Sequence, residues 1–318
     1  MAQGQIELYI LTGFLGSGKS TLLARLLEAE HKQERRVGVI MNEVGEISID
    51  SAYIPDGMPL AELLNGCVCC SIQGELTMQL YQMAQTYELD AVYIEATGAA
   101  HPLEVLEACT HPSLAPLYEM RAIVGVIDMK QWQNRQELKK PVQQLLEAQA
   151  KYVDIIIGTK QDRLTEAERV TVAETITSCQ PEAIHTFTTY ARIDPDIITR
   201  SRPRYRTDQP HEKTHVHHHL HLRTYTRFLS GALPRMAFEN WLRSLPPTVY
   251  RAKGFIHVTD TSRLFLFQYA YGEPMLIPYN SDRPCEDVLV FIGDNLDTDR
   301  IEQALNELEN AARREGTL

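Results

Sequence analysis

Gly13-Phe14-Leu15-Gly16-Ser17-Gly18-Lys19-Ser20 fits the spacing G-x-x-x-x-G-K-[ST], an arrangement suited to holding anions. Glycine at Gly13, Gly16 and Gly18 lets successive backbone N–H groups converge, together with Ser17, on phosphate oxygens at a helix N-terminus, where the dipole also favours negative charge. Lys19 brings a positive charge to the β- and γ-phosphates, and the Ser20 hydroxyl is a magnesium ligand. The chemistry implied is binding and cleavage of a nucleoside triphosphate. Magnesium needs a second anchor, an acidic side chain at the C-terminal end of a nearby strand. Val92-Tyr93-Ile94-Glu95-Ala96-Thr97-Gly98 supplies one. Glu95 closes an apolar run, a costly place for a carboxylate without a cation, and Gly98 lets the backbone approach the γ-phosphate. Asp128, ending the run Ile123 to Ile127, competes for the same role; Glu95 is favoured because a glycine follows it.

The base is read from Thr159-Lys160-Gln161-Asp162, which follows the apolar run Ile155 to Ile157. An Asp carboxylate is acceptor-only, so Asp162 pairs with the ring N–H and amino donors of guanine, a pair adenine does not offer. Lys160 can lay its stem over the purine face. A Lys and an Asp in one loop are commonplace by themselves; GTP is indicated because they follow a phosphate loop and a magnesium carboxylate.

Two further clusters suit metals. Cys67, Cys69 and Cys70 lie in Asn65-Gly66-Cys67-Val68-Cys69-Cys70, between the second strand and the strand carrying Glu95, a region that senses the γ-phosphate in P-loop GTPases. Three thiolates bind zinc and leave a fourth position open, as suits a site that releases its metal. Buried or redox-active thiols are the plainer alternative, but they explain neither spacing nor placement. Cobalt, nickel and copper also suit thiolate and imidazole ligands. The remaining cysteines, Cys109, Cys179 and Cys285, read as ordinary thiols. Six of the 11 histidines fall between His211 and His221. In a strand over Val216 to Thr226, His215, His217, His219 and His221 would share one face at about 6.6 Å spacing. A zinc-loading patch built on His215, His217 and His219 stands beside a solvated linker as the two readings.

Short apolar β-type runs alternate with helical patterns through the first two-thirds of the chain: Ile6 to Leu11, Val37 to Met41, Ala91 to Glu95, Ile123 to Asp128, Val153 to Thr159 and Ile184 to Thr188. The fold class expected is α/β, a doubly wound parallel-sheet P-loop domain followed by a smaller α+β C-terminal domain. Leu22, Leu23, Leu26 and Leu27 give the first helix its buried stripe. Residues 1–200 form the first domain, a polar, arginine- and proline-rich stretch at 201–214 the linker, and residues 215–318 the second domain. In the latter, a helix is expected over Pro234 to Leu245, strands over Gly254 to Thr259, Leu264 to Tyr271, Met275 to Pro278 and Val288 to Ile292, and a final helix from about Thr298, capped by Asp297 or Thr298.

With a formal charge of −11, the chain has no global attraction for nucleic acid or an anionic membrane. Arg200, Arg202, Arg204 and Arg206 read as a solvated or partner-facing segment. No run approaches the roughly 18 apolar residues of a membrane span, and the N-terminus enters a strand at once without a leader. A cytoplasmic protein is expected.

Together these motifs resemble the CobW-like family of metal-linked P-loop GTPases, whose members include zinc-regulated metallochaperones. The resemblance rests on the GFLGSGKST loop (Gly13 to Thr21), Asn42-Glu43-Val44-Gly45-Glu46, the C-x-C-C loop, Ile94 to Gly98, Thr159 to Asp162 and the length of the C-terminal domain. It implies GTP hydrolysis coupled to delivery of a metal, often zinc, to a client metalloprotein. It further implies that Asn42, Glu43 and Glu46 form the first switch segment, with Glu43 counted among the catalytic residues, and that Thr21 belongs to the nucleotide loop. Thr159 stands where the commonest GTPases have Asn, which leaves Lys160 and Asp162 to carry base recognition. No glutamine reads as a water-orienting residue, so hydrolysis is expected to be slow without metal or client. Within the family, cobalt handling for cobalamin synthesis and activation of a metalloenzyme are alternatives; outside it, a non-enzymatic zinc store or sensor and a small-molecule kinase. No residue pattern bears on the homodimer that nucleotide binding could drive.

Overall fold

The computed structural model describes residues 4–41, 60–62, 71–199, 222–270, 272–280, 285–294 and 296–315. The chain divides into two compact units. In the first, the described residues include strands Ile6–Thr12 (β1), Val37–Met41 (β2), Leu60–Glu62 (β3), Ala91–Glu95 (β4), Tyr118–Asp128 (β5), Ile155–Thr159 (β6) and Ile184–Phe187 (β7), accompanied by helices. These are Lys19–Lys32 (α1), Ser71–Thr86 (α2), Pro102–Cys109 (α3), Met129–Gln133 (α4), Lys140–Lys151 (α5), Glu166–Cys179 (α6) and Asp196–Thr199 (α7). The strand order is β3-β2-β4-β1-β5-β6-β7 and every pairing is parallel.

Burial explains why these strands read as unbroken apolar runs. Tyr9, Leu11, Val39, Tyr93, Val124 and Ile157 form one core with Leu22, Leu23, Leu26 and Leu27 of α1 and Ile198 of α7. The alternate residues Leu8, Ile10, Ile40, Val92 and Ile94 are buried as well, so both faces of the sheet are covered. β1 is paired with β4 on one side and β5 on the other. The winding direction therefore reverses at β1, and the loops leaving β1, β4, β5 and β6 emerge along one edge, the place where open parallel sheets bind ligands.

The second unit comprises residues 205–318 together with Thr110–Ala115. Strands Leu222–Phe228 (β8), Val249–Val258 (β9), Thr261–Ala270 (β10), Glu273–Pro278 (β11) and Val288–Asp294 (β12) form an antiparallel sheet in the order β11-β10-β9-β12-β8. Phe238 and Leu242 of helix Arg235–Arg243 (α8), with Ile301 and Leu305 of helix Thr298–Glu315 (α9), close a core over Ile256, Phe267, Leu289 and Phe291. Asp297 starts α9 by accepting the Arg300 amide at 3.0 Å. Thr110–Ala115 packs on β9 and β12, with Leu114 buried and the His111 ring edge-on to Phe255 at 6.0 Å.

The strand expected over Val216 to Thr226 is described only from Leu222 and continues to Phe228; residues 216–221 lie outside the described set. Among the described residues no helix is long and apolar enough to cross a membrane.

Candidate nucleotide site

The site is assembled on the edge where β1 gives way to α1. Gly13, Gly16 and Gly18 have φ of 143°, 70° and 106°, a left-handed turn that side-chain-bearing residues rarely adopt. At Gly13 there is also no room for one, because a Cβ would run into the Val126 carbonyl oxygen of β5. Gly18 occupies the cap of α1 and offers no side chain to the first-turn N–H groups, which leaves that helix end to an anion.

Lys19 is buried and curls back over the turn, donating to the carbonyls of Gly13 (2.8 Å) and Phe14 (3.3 Å). One residue on, the Ser20 hydroxyl donates to Glu95 Oε1 at 2.8 Å. Parallel register makes this pair: Leu11 of β1 lies opposite Glu95 of β4, and the Ala96 amide continues the ladder to the Leu11 carbonyl at 2.9 Å. Asp128 is engaged elsewhere. Its Oδ1 caps α4 by accepting the amides of Lys130 (2.9 Å) and Gln131 (3.2 Å), and its Oδ2 takes Lys160 Nζ at 2.8 Å. Glu95 is thus the acid placed beside Ser20.

The β6 loop is tied to the same turn. Thr159 donates its hydroxyl to the Ser17 carbonyl at 2.6 Å, and Lys160 Nζ bridges Asp128 and the Gly16 carbonyl. Lys160 has a left-handed backbone (φ 57°), uncommon for a residue with a side chain, held by these two bonds. Asp162 sits exposed on the short 3-10 turn Gln161–Arg163. Gly98 follows Glu95 by three residues, and a Cβ there would lie 2.6 Å from the Leu15 nitrogen, so the two loops touch backbone to backbone. Thr21 is exposed on α1.

These residues fit a magnesium nucleoside triphosphate. The Ser17 hydroxyl, 1% exposed, has no hydrogen-bond partner among the described residues, and neither has that of Thr12. Buried polar atoms left in this way need a partner, and a phosphate or cation bound at this turn would supply one. Such a ligand needs a hydroxyl and a carboxylate for its cation and an ammonium for its phosphates, and Ser20, Glu95 and Lys19 are groups of those kinds at this turn.

One contributor had no motif to announce it. Gln149, on α5, donates its amide to the carbonyls of Gly98 and Ala100, both at 3.1 Å.

Other expected residues lie outside the described set: Asn42, Glu43 and Glu46, the thiols Cys67, Cys69 and Cys70, and His215, His217 and His219. Among the described residues no group of three or more His, Cys, Asp or Glu side chains is placed to hold a metal. Burial pushes the Cys109 thiol far above its ordinary value, and Cys179 and Cys285 are half-buried.

Residues 7–187 match the family model "CobW/HypB/UreG, nucleotide-binding domain", and residues 222–309 match "Cobalamin synthesis protein cobW C-terminal domain". The zinc chaperone YjiA of Escherichia coli K12 is 27% identical over 94% of this chain and 97% of its own length. The zinc chaperone YeiR of the same organism is 28% identical over 79% of this chain and 74% of its own. A solved structure, that of Zn(II)-bound YjiA GTPase from E. coli, aligns over 96% of this chain and 99% of its own at 22% identity and a TM-score of 0.47. Matched over more than half its length by the nucleotide-binding model and over most of the remainder by the C-terminal one, the chain belongs to the CobW/HypB/UreG family of P-loop GTPases.

Proposed function

We propose that this chain is a GTP-hydrolysing metallochaperone that carries zinc on Cys67, Cys69 and Cys70 and couples hydrolysis to transfer of that metal to a client protein. The observation that carries the nucleotide half is the 2.8 Å bond between Ser20 and Glu95 beneath the glycine turn. The names of the two E. coli relatives, both zinc chaperones, support the cargo.

Ser20 and Glu95 would hold magnesium, which when bound offsets charge on the β- and γ-phosphates. Lys19 is already folded over the loop by the Gly13 and Phe14 carbonyls, so a phosphate would meet a pre-positioned ammonium. Asp162 selects guanine, and Lys160 holds the base-reading loop against the phosphate loop through Gly16. Water is the nucleophile. The cysteine loop lies in sequence between β2 and the strand carrying Glu95, so the nucleotide state is felt there as a change in the thiolates' preference for metal. His215, His217 and His219 serve as the loading patch.

Single-turnover GTP hydrolysis with magnesium, measured across buffered free zinc for the native chain and a Cys67→Ser, Cys69→Ser, Cys70→Ser variant, tests this reading. A zinc-dependent rate in the native chain that disappears in the variant is the expected result. Identical rates in both proteins at every zinc concentration would remove the cysteine loop from the mechanism.

A further inference from the structure

Gln149 is 1% exposed, deep on the inner side of α5. Burying an amide there is unfavourable unless its groups are used, and Nε2 is used twice, on the carbonyls of Gly98 and Ala100 at 3.1 Å each. Those two acceptors fix which end of the amide is nitrogen, since the reversed orientation would set oxygen against two oxygens. Oε1 is buried and has no hydrogen-bond partner among the described residues. A core position asking only for volume would be filled by Leu or Met without that penalty.

The helix bearing Gln149 is itself pinned. At Gly125 of β5 a Cβ would lie 2.9 Å from the Gln149 carbonyl oxygen, so helix and strand meet backbone to backbone. The next residue of β5, Val126, presents the carbonyl that fills the space beside Gly13. The turn Gln149 grips is closed by the Ala100 amide on the Thr97 carbonyl (2.9 Å) and abuts Leu15 of the phosphate loop through Gly98. One rigid strand therefore sets both the phosphate loop and the helix that holds the turn facing it.

We infer that Gln149 is a positioning residue for the γ-phosphate end of the nucleotide site: its amide holds the Gly98–Ala100 turn at the distance from the phosphate loop at which the Gly98 backbone reads a third phosphate. The inference rests on the nucleotide reading given above. GDP, lacking that phosphate, is indifferent to the turn, so Gln149 governs the ratio of triphosphate to diphosphate affinity rather than nucleotide affinity as a whole.

Calorimetric titration of GTPγS and of GDP, each with magnesium, into the full chain provides the test. Gln149→Met keeps the side-chain volume and loses both donors. Gln143→Met, which removes another largely buried amide from α5, one that among the described residues donates to Gln136 and Glu147, is the matched control. Gln149→Met should weaken GTPγS about tenfold, the scale of one or two net hydrogen bonds, with GDP within about twofold of native and Gln143→Met unchanged in both. Equal weakening of both ligands, or none of either, would overturn the inference and leave Gln149 a packing residue. Should Gln149→Met fail to fold, Gln149→Asn, which keeps the donors but withdraws them by one methylene, is read by the same ratio. A native chain that binds neither ligand would sink the nucleotide reading itself, an outcome visible before any variant is made.

Discussion

Asp154 is buried just before β6, where its Oδ2 accepts the Ile123 amide at 2.7 Å; burial pushes its pKa up to about 7, the amide bond only partly opposing the shift. Between about pH 4 and 7 the unfolded chain has released this proton while the folded chain retains it, so stability falls as pH rises through that window and levels off above it. His111 behaves oppositely. Burial, aided by the charge of Lys253, lowers it to about 4, so between about pH 4 and 6.5 the unfolded chain binds a proton the folded chain refuses, and stability is lost as pH falls. The two residues belong to different units, each with one of the chain's two tryptophans, Trp132 and Trp241. With Trp241 replaced by Phe, urea unfolding followed at Trp132 should show a midpoint that drops from pH 5 to 7.5, and Asp154→Asn should flatten it. With Trp132 replaced by Phe, Trp241 should report a midpoint that rises over pH 4.5 to 6.5. A third outcome concerns Glu95: Glu95→Gln should shift the magnesium requirement of GTP hydrolysis upward by at least tenfold, and an unchanged magnesium titration would detach Glu95 from the cation. Lys19, Ser20 and Glu95 were legible in the sequence because their spacing is local and tied to strand ends. Gln149 was not, because a helix residue that reaches another loop in space leaves no periodic or motif signal. Asp128 left one that reads in retrospect, an acid one position ahead of a helix.

Among the elements, β11 shows how the second unit's sheet ends. Tyr279 donates its amide to Leu264 at 2.8 Å, so the odd-numbered N–H groups of this strand face β10 and the even-numbered ones face outward. Two of those outward positions are Pro274 and Pro278, which have no N–H to offer. Met275 and Ile277, 57% and 40% exposed, would otherwise make this an adhesive edge. Pro274→Thr with Pro278→Thr should therefore produce concentration-dependent self-association in sedimentation velocity at unchanged thermal stability; a monodisperse double variant would show that the prolines serve another purpose. Most of the parallel strands were readable, since strands covered on both faces become continuous apolar runs. β3 escaped notice because three residues carry no period, and β5 proved longer than its apolar part because Tyr118 to Arg121 mixes polar residues into a strand edge. The antiparallel strands β9, β10 and β11 began earlier than expected and β12 ended later, because polar residues such as Arg251, Lys253, Arg263 and Glu273, and Gly293 with Asp294, interrupt the apolar pattern at those strand ends.

At the scale of the whole molecule, the chain passes between its two units three times, because Thr110–Ala115 belongs to the second while its flanks belong to the first. No composition shift marks those six residues, so the sequence suggested only one passage, near residue 200. A fragment of residues 205–318 would lack the cover that His111 and Leu114 give to β9 and β12. It is expected to melt below the same unit in the intact chain, as read at Trp241, and to bind an apolar dye; a fragment as stable as the unit in the full protein would show that the six residues contribute nothing. The excursion also bears on how such chains can be recombined. Two relatives that exchanged their C-terminal halves by a single crossover would each inherit a sheet fitted to the other's loop, and the mismatch would sit on Phe255, far in sequence from the join. Viable hybrids should carry a second, compensating exchange near Thr110, so that inheritance of the C-terminal domain is in effect a two-locus trait within one gene.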